Sequence, residues 1–395
     1  MITTVVIKSV RACNLRCSYC YYINDQTQGY GRIVSEETME RLYAHVSDYL
    51  GEQQTFRFVW HGGEPLLLGR RRLQKLLDLQ AAYFRPEQVQ NSLQSNGVLI
   101  DQEWIDFFRR NRIGVGISID SSREAHDKNR ITTRGMGTYA RVTEAIRLFH
   151  ANHVPVGSLS VIDPEFDGEE ALRQMEKLGV QLCDFLIPMT NNALQESAEA
   201  EGDRRYIDFT KVGEFLAGAF RRWGDQPTPK LSIRFFECVL RNAFGLESGL
   251  LDAGSPHISD FLVMEPDGAL CLDPDFWQID RYDLGRHYQL AFNVHDADFS
   301  LNSVEQQVTD FARSHHLTSL PDACQTCKVR SLCRGSHPAS RFGSDGSFNH
   351  RSAYCEAMFA LCEAVLDYII KGGYTDKLYD EDLKHLLKQQ ILSAA

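Results

Sequence analysis

No stretch of this sequence is apolar for long enough to span a bilayer. Its first ten residues, MITTVVIKSV, lack the basic-then-apolar order of a secretory signal. Both absences predict a cytoplasmic protein with no membrane partner. Positive charge is also short. Lys and Arg number 42 against 53 Asp and Glu, a formal net charge of -11. That balance disfavours generic binding to nucleic acid, whose phosphates reward basic surfaces. No lipidation motif, low-complexity tract or internal repeat stands out. What remains is the profile of a globular chain: 395 residues, 43% hydrophobic and 24% charged, suit two or three domains with a buried core.

Cysteine is plentiful. Eleven are many for a reducing compartment, where disulfides are disfavoured, so their spacing must decide between metal ligation and burial. Seven fall into groups, at Cys13, Cys17 and Cys20 and at Cys324, Cys327, Cys333 and Cys355. Cys183, Cys238, Cys271 and Cys362 stand alone and read as small buried hydrophobes.

The first half alternates strand-like and helix-like segments. Short runs rich in Val, Ile and Phe predict strands at Thr3–Val10, Thr55–Trp60, Gln88–Gln94, Ile113–Asp120, Val154–Val161 and Leu182–Met189. Ser35 can cap a helix with Glu36 and Glu37 in its first turn, apolar positions at Met39, Leu42, Tyr43, Val46 and Leu50, and a stop at Gly51. Leu73, Leu76, Leu77 and Phe84 mark a second helix; Trp104, Ile105 and Phe108 a third; Val142, Ala145, Ile146 and Phe149 a fourth. Six strands alternating with helices predict a parallel α/β sheet. Periodicity does not choose between an open wound sheet and a partial barrel. Beyond residue 215 the alternation fades, 224–232 reads as a loop, and Phe261–Cys355 reads as loop-rich. Tyr354–Ile370 reads as a helix leading into a polar tail.

The first cysteine group, CNLRCSYC, follows the first strand directly. Three thiolates on a loop can hold three irons of a cubane and leave a fourth open; a zinc site would want a fourth protein ligand. Cys-x3-Cys-x2-Cys with Tyr19 before the last cysteine resembles the signature of radical S-adenosylmethionine (SAM) enzymes. The likeness extends along the chain. His61-Gly62-Gly63-Glu64-Pro65 resembles the family's GGEP motif. Gln94-Ser95-Asn96-Gly97 and Ser118-Ile119-Asp120 with His126-Asp127 and Arg130 resemble its later strand-end motifs. The resemblance implies a partial (β/α)6 TIM-like barrel, a [4Fe-4S] radical cluster on Cys13, Cys17 and Cys20, and reductive SAM cleavage to a 5′-deoxyadenosyl radical. It implies that Gly62, Gly63 and Glu64 receive the SAM ammonium. Ser118 and Arg130 would bind its carboxylate, and Tyr19 would lie near the adenine. Pro65, Ser95, Asn96 and Asp120 join this cofactor-binding set by motif match. An electron donor such as a flavodoxin or ferredoxin is implied as partner.

Cys324-x2-Cys327-x5-Cys333 with Cys355 resembles the second half of a SPASM domain, the loop-rich iron–sulfur module of peptide-modifying radical SAM enzymes. The four would hold one auxiliary [4Fe-4S] cluster; a four-cysteine zinc knuckle is the other reading. The module departs from the family pattern. His337 stands where a further cysteine is usual, Asp273 stands at the G-x4-C position, and Cys271 comes two residues early. A second auxiliary cluster is therefore not expected, although His337 or Cys271 could ligate metal. With Arg341-Phe342 and Tyr354-Cys355, this loss resembles peptide maturases that form cyclophanes, joining an aromatic ring of a ribosomal precursor peptide to a side-chain Cβ. Asp273 and Asp275 are then candidates for the catalytic base, with an ordinary turn acid as the alternative. The triad begins at Cys13, so no leader-binding domain is expected before the barrel. The leader would be read by the enzyme's own surface or by a separate leader-binding protein.

These expectations divide the chain into a barrel at 1–215, a bridging region at 216–260, an auxiliary-cluster domain at 261–360 and a C-terminal helix and tail at 361–395. They rank cyclophane formation first. Formylglycine formation, as in sulfatase maturases, stands second, and a non-catalytic iron–sulfur or zinc scaffold third.

Overall fold

The computed structural model describes residues 1–23, 29–203, 206–280 and 292–394. All six expected strands form: β1 (Thr4–Val10), β2 (Phe56–Gly62), β3 (Val89–Ser95), β4 (Ile113–Ser118), β5 (Val156–Val161) and β6 (Leu182–Leu186). Helices alternate with them: α1 (Glu36–Tyr49), α2 (Arg70–Gln80), α3 (Gln102–Arg110), α4 (Arg123–Asn129), α5 (Tyr139–Ala151) and α6 (Gly168–Leu178). The architecture is an α/β fold with parallel strands and a further C-terminal region. Of the described residues, one compact unit takes 1–159, 259–277 and 292–311, and a second takes 160–258, 278–280 and 312–394.

In the first unit β1 to β5 pair in chain order, all parallel, with Ile7 beside Trp60 and Ser95 beside Ile117. Parallel neighbours need long crossovers, which the helices supply. The free edge of β1 takes a parallel strand from much later in the chain, β7 (Phe261–Met264), which turns back antiparallel as β8 (Ala269–Cys271). Alternation along β2 sorts its side chains. Phe56, Phe58 and Trp60 are fully buried, and Phe58 meets Tyr43 of α1 and Phe84 at ring separations of 5.4 and 5.7 Å. His61 points to the other face, in register with Lys8 of β1. One face of this sheet is thus aromatic and helix-covered, while the other carries polar groups. Every functional motif of the unit sits where a strand ends, as parallel α/β folds favour.

Local signals behave as their chemistry demands. Ser35 Oγ accepts the Thr38 N–H at 2.9 Å and opens α1. Leu50, read as its last apolar position, is already extended, and Phe84 lies beyond the end of α2. Phe84 is nonetheless buried and serves the apolar pattern, which depends on burial and not on helical state, while Leu50 is only half-buried.

The second unit packs α6 on α7 (Phe209–Gly224), and α7 on α8 (Cys355–Lys371), where Phe220 meets Tyr368 edge-on at 5.9 Å. Residues 224–232 are the expected loop between α7 and a two-residue strand. Two expectations need correction. The loop-rich stretch contains a helix at Leu301–Ser314, whose Leu301, Val304 and Val308 keep a helical spacing and are buried. The polar tail forms a helix at Glu381–Ala394, anchored by Leu383 and Leu387. The part of the loop-rich stretch at 281–291 lies outside the described residues. Among the described residues no helix is long and apolar enough to cross a membrane.

Candidate active site and metal centres

The chain leaves β1 and enters the loop of Cys13, Cys17 and Cys20, which is pinned from outside. Leu15–Cys17 pairs antiparallel with Arg130–Thr132, and Ser18 Oγ donates to Asn129 Oδ1 at 2.5 Å. All three cysteines are free thiols. The Leu15 N–H donates to Cys13 Sγ and the Ile23 N–H to Cys20 Sγ, both at 3.3 Å. Burial pushes the Cys13 thiol up to about 12, with Glu64, Cys17 and Cys20 adding to the rise. Burial likewise raises Cys17 to about 11 against the pull of Arg130. The three sulfurs therefore lie within electrostatic reach of one another. Soft sulfurs met by backbone N–H groups are the donor set of an iron–sulfur cluster.

The Gly62-Gly63-Glu64 turn is stitched to this loop. The Gly63 N–H donates to Val10 O at 2.8 Å and the Glu64 N–H to Ala12 O at 2.9 Å. A Cβ at Gly63 would sit 2.1 Å from Ala12 O, so only glycine permits the approach. Glu64 is fully buried. Its carboxylate accepts the Leu66 N–H at 3.0 Å, the Ser95 hydroxyl at 2.9 Å and the Asn96 N–H at 2.8 Å. Burial raises its pKa to about 7, against those three donors. Asn96 carries the chain of contacts onward, donating to Asn14 Oδ1 at 2.8 Å. Three sequence motifs from three strand ends are thus one hydrogen-bonded body. Gly62 N–H is taken by His61 Nδ1 at 2.8 Å, and burial lowers the His61 pKa to about 3, with Lys8 adding to the fall. His61 is therefore neutral.

The fourth motif forms a second buried network. Arg130 makes a bidentate pair with Asp120, Nε to Oδ2 and Nη2 to Oδ1, each at 3.1 Å. Tyr19 donates its hydroxyl to Asp120 Oδ2 at 2.5 Å, and its ring lies under the guanidinium at 5.3 Å. Burial opposes the charge on Arg130, but Asp120, Tyr19 and Cys17 outweigh it and raise its pKa. Burial keeps Tyr19 protonated, its pKa raised well above the ordinary value. His126 holds the Asp120 backbone, Nδ1 accepting its N–H at 3.2 Å. Ser118 Oγ accepts from Gln94 at 2.9 Å. Pro65 opens the short turn after Glu64.

Beside the triad the polar face of the sheet holds groups that the sequence reading passed over. Lys8 is 1% exposed, donates to the Tyr21 hydroxyl at 2.7 Å and lies 4.9 Å from the Tyr22 ring centre. Tyr22 donates to Glu265 at 2.8 Å. An unexpected lysine inside an apolar-looking strand was the available signal, since Lys8 and Ser9 break the run between Ile7 and Val10. Asp273 Oδ1 accepts the Asp275 N–H at 2.8 Å, opening a short helix at Pro274–Asp280, and its charge reaches Tyr21. Cys271 Sγ meets Val263 O at 3.4 Å within the β7–β8 hairpin.

In the second unit Cys324, Cys327, Cys333 and Cys355 also gather as free thiols. Tight turns set the first three, and Cys355 is the first residue of α8. Burial raises Cys333 to about 12, with Cys355, Cys324 and Cys327 adding to it. The chemistry of four thiols that act on one another electrostatically fits a cluster as it fits the triad. Cys362, taken as a lone hydrophobe, is fully buried and feels Cys333, Cys327 and Cys355. Its place two helical turns after Cys355 was the sequence signal. His337 is 1% exposed, and its Nδ1 accepts the Ala339 N–H at 3.1 Å.

The profile of the radical SAM superfamily matches residues 7–178. The serine-type anaerobic sulfatase-maturating enzyme of Klebsiella aerogenes is 32% identical over 340 residues, covering 83% of this chain and 77% of that protein. The cysteine-type anaerobic sulfatase-maturating enzyme of Clostridium perfringens (strain 13 / Type A) is 28% identical over 358 residues, covering 87% and 91%. Among solved structures, native anSMEcpe with bound AdoMet and Cp18Cys peptide superposes with a TM-score of 0.78 at 23% identity, covering 94% of this chain and 98% of that one. That last likeness is one of fold.

Proposed function

Since the chain belongs to the radical SAM superfamily, we propose that it oxidises a side chain of a peptide after removing a hydrogen from its Cβ. The observation that carries this reading is the joined body of Gly62-Gly63-Glu64, Ser95-Asn96 and the triad loop, with the Tyr19–Asp120–Arg130 network beside it. Cys13, Cys17 and Cys20 would hold a [4Fe-4S] cluster, which would supply the electron for reductive cleavage of SAM. The protein does the rest. The Gly62 and Gly63 carbonyls and Glu64 hold the SAM ammonium. Ser118 and the guanidinium nitrogen of Arg130 left over from Asp120 hold its carboxylate through charge-assisted bonds. Tyr19 closes the adenine side and helps to exclude water. Asp273 or Asp275 takes the proton released as the substrate is oxidised.

Formylglycine formation is the better-supported outcome, because the relatives with the highest identities quoted above are sulfatase-maturating enzymes. Cyclophane crosslinking remains the second reading, favoured by one observation: His337 and Asp273 stand where a full SPASM domain carries cysteines, a loss that resembles the cyclophane-forming maturases. An auxiliary cluster on Cys324, Cys327, Cys333 and Cys355 serves either outcome.

The test gives the reduced, reconstituted enzyme SAM and one of two peptides: a sulfatase segment deuterated at the Cβ of its Ser or Cys, or a co-encoded peptide rich in aromatic residues. Deuterium in 5′-deoxyadenosine together with an aldehyde that traps hydrazine supports formylglycine. Loss of two hydrogens with a fragmentation gap between two residues supports the crosslink. Unlabelled 5′-deoxyadenosine with both peptides unchanged rejects the peptide reading.

A further inference from the structure

Arg341 is 3% exposed. Burial pulls its pKa down while the sulfurs of Cys333 and Cys324 act to raise it, and among the described residues no carboxylate forms an ion pair with it. Its guanidinium donates instead to five backbone carbonyls: Nε to Gly335 O at 2.9 Å, Nη1 to Leu317 O at 3.3 Å and Ser319 O at 2.9 Å, Nη2 to Arg334 O at 3.3 Å and Ser336 O at 3.1 Å. Three of these carbonyls are consecutive. Arg334, Gly335 and Ser336 all have positive φ, at 50°, 79° and 58°. Two of the three are not glycine, and such a backbone is strained for residues with a Cβ. It persists only where its surroundings hold it. The guanidinium fork grips that backbone through its three carbonyls, so closely that a methyl at Gly335 would lie 2.7 Å from Nη2. Turned this way, the loop sends its carbonyls to Arg341, and the Gly335 backbone N–H acts on the Cys333 thiol to lower its pKa against burial.

We propose that Arg341 is a positioning and charge-tuning residue for the C-terminal cluster: it holds the 334–336 loop as a donor cradle for Cys333 and raises the cluster's reduction potential by its buried positive charge. The proposal rests on the reading that Cys324, Cys327, Cys333 and Cys355 bind a [4Fe-4S] cluster. Four thiolates make such a cluster anionic, and reduction adds one more negative charge. A fixed cation and an N–H at sulfur both favour the reduced form, more strongly in a low-dielectric interior. Arg341 thereby biases this cluster towards accepting an electron.

The test uses the full chain with Cys13, Cys17 and Cys20 replaced by Ala, so that the C-terminal cluster alone is read by redox-poised electron paramagnetic resonance and iron analysis. A parent that binds zinc, or no iron, defeats the cluster reading itself. With about four irons present, Arg341→Gln is expected to raise the oxidised-to-reduced ratio at a fixed potential by tenfold or more, about 59 mV for one electron. Arg341→Lys, which keeps the charge, is expected to shift it less. An unchanged midpoint in Arg341→Gln overturns the proposal. Should Arg341→Gln not keep iron, Arg341→Lys decides. A near-parental midpoint, or iron lost from a chain that still melts like the parent, supports the proposal. Outright unfolding, or a shift beyond tenfold, overturns it.

Discussion

Glu64 is a carboxyl kept from water with three donors converging on it. Burial outweighs the donors, so its folded pKa, about 7, stands above the ordinary 4.5. The sign follows: the stabilisation it offers is complete below pH 4.5 and is lost as pH rises through 7. Relative to Glu64→Gln, the parent should lose about 3 kcal/mol of unfolding free energy across that window. Denaturant melts of both proteins at pH 5 and pH 8 check this, and a pH-independent difference would remove Glu64 from the account. Arg130 needs a different test, because truncating it leaves the carboxylate of Asp120 buried and unpaired. Arg130→Met should cost about 3–5 kcal/mol of stability on that ground alone. Adding Asp120→Asn should restore much of the fold. If SAM is held by Arg130, equilibrium dialysis will find binding still weak in the double variant; recovered binding would make Arg130 purely structural.

At the scale of elements, the turn after β2 and the loop after β1 depend on each other through two backbone hydrogen bonds and one absent side chain. Gly63→Ala would drive a methyl into the Ala12 carbonyl and part the turn from the cysteine loop. The expected result is a folded chain that holds iron at the C-terminal cysteines but not at the triad, about half the parental count. Full iron content in Gly63→Ala would mean that the turn does not shape the cluster loop. Elements elsewhere follow local rules closely. Ser35→Ala should cost about 1 kcal/mol through the lost cap on α1.

For the whole molecule the two cysteine sets make separable predictions, since each is built within its own unit. The reconstituted chain should carry about eight irons. Cys20→Ala should abolish 5′-deoxyadenosine, while Cys327→Ala should retain SAM cleavage uncoupled from peptide product. Chromatographic assay of 5′-deoxyadenosine beside mass spectrometry of the peptide reads both, and the reverse pattern would exchange the roles of the two sets.

The linear sequence determined the alternation of six strands and helices, the cap at Ser35 and the two close groupings of cysteines, because each is written in local spacing that the backbone must obey. It also held the strand-end motifs, although chain order alone does not say that Glu64 bonds to Ser95 and Asn96. The helices at 301–314 and 381–394 were legible in their apolar period but hidden by polar neighbours. Only the tertiary structure decided the pairing of β7 with β1, the burial of Lys8 against Tyr21, the company Cys362 keeps, and the grip of Arg341 on the 334–336 loop. The physical reason is common to all four. Each is a contact between residues distant in sequence or buried against expectation, made when strands and loops close around polar groups. No local period encodes which carbonyl, ring or sulfur will then be waiting.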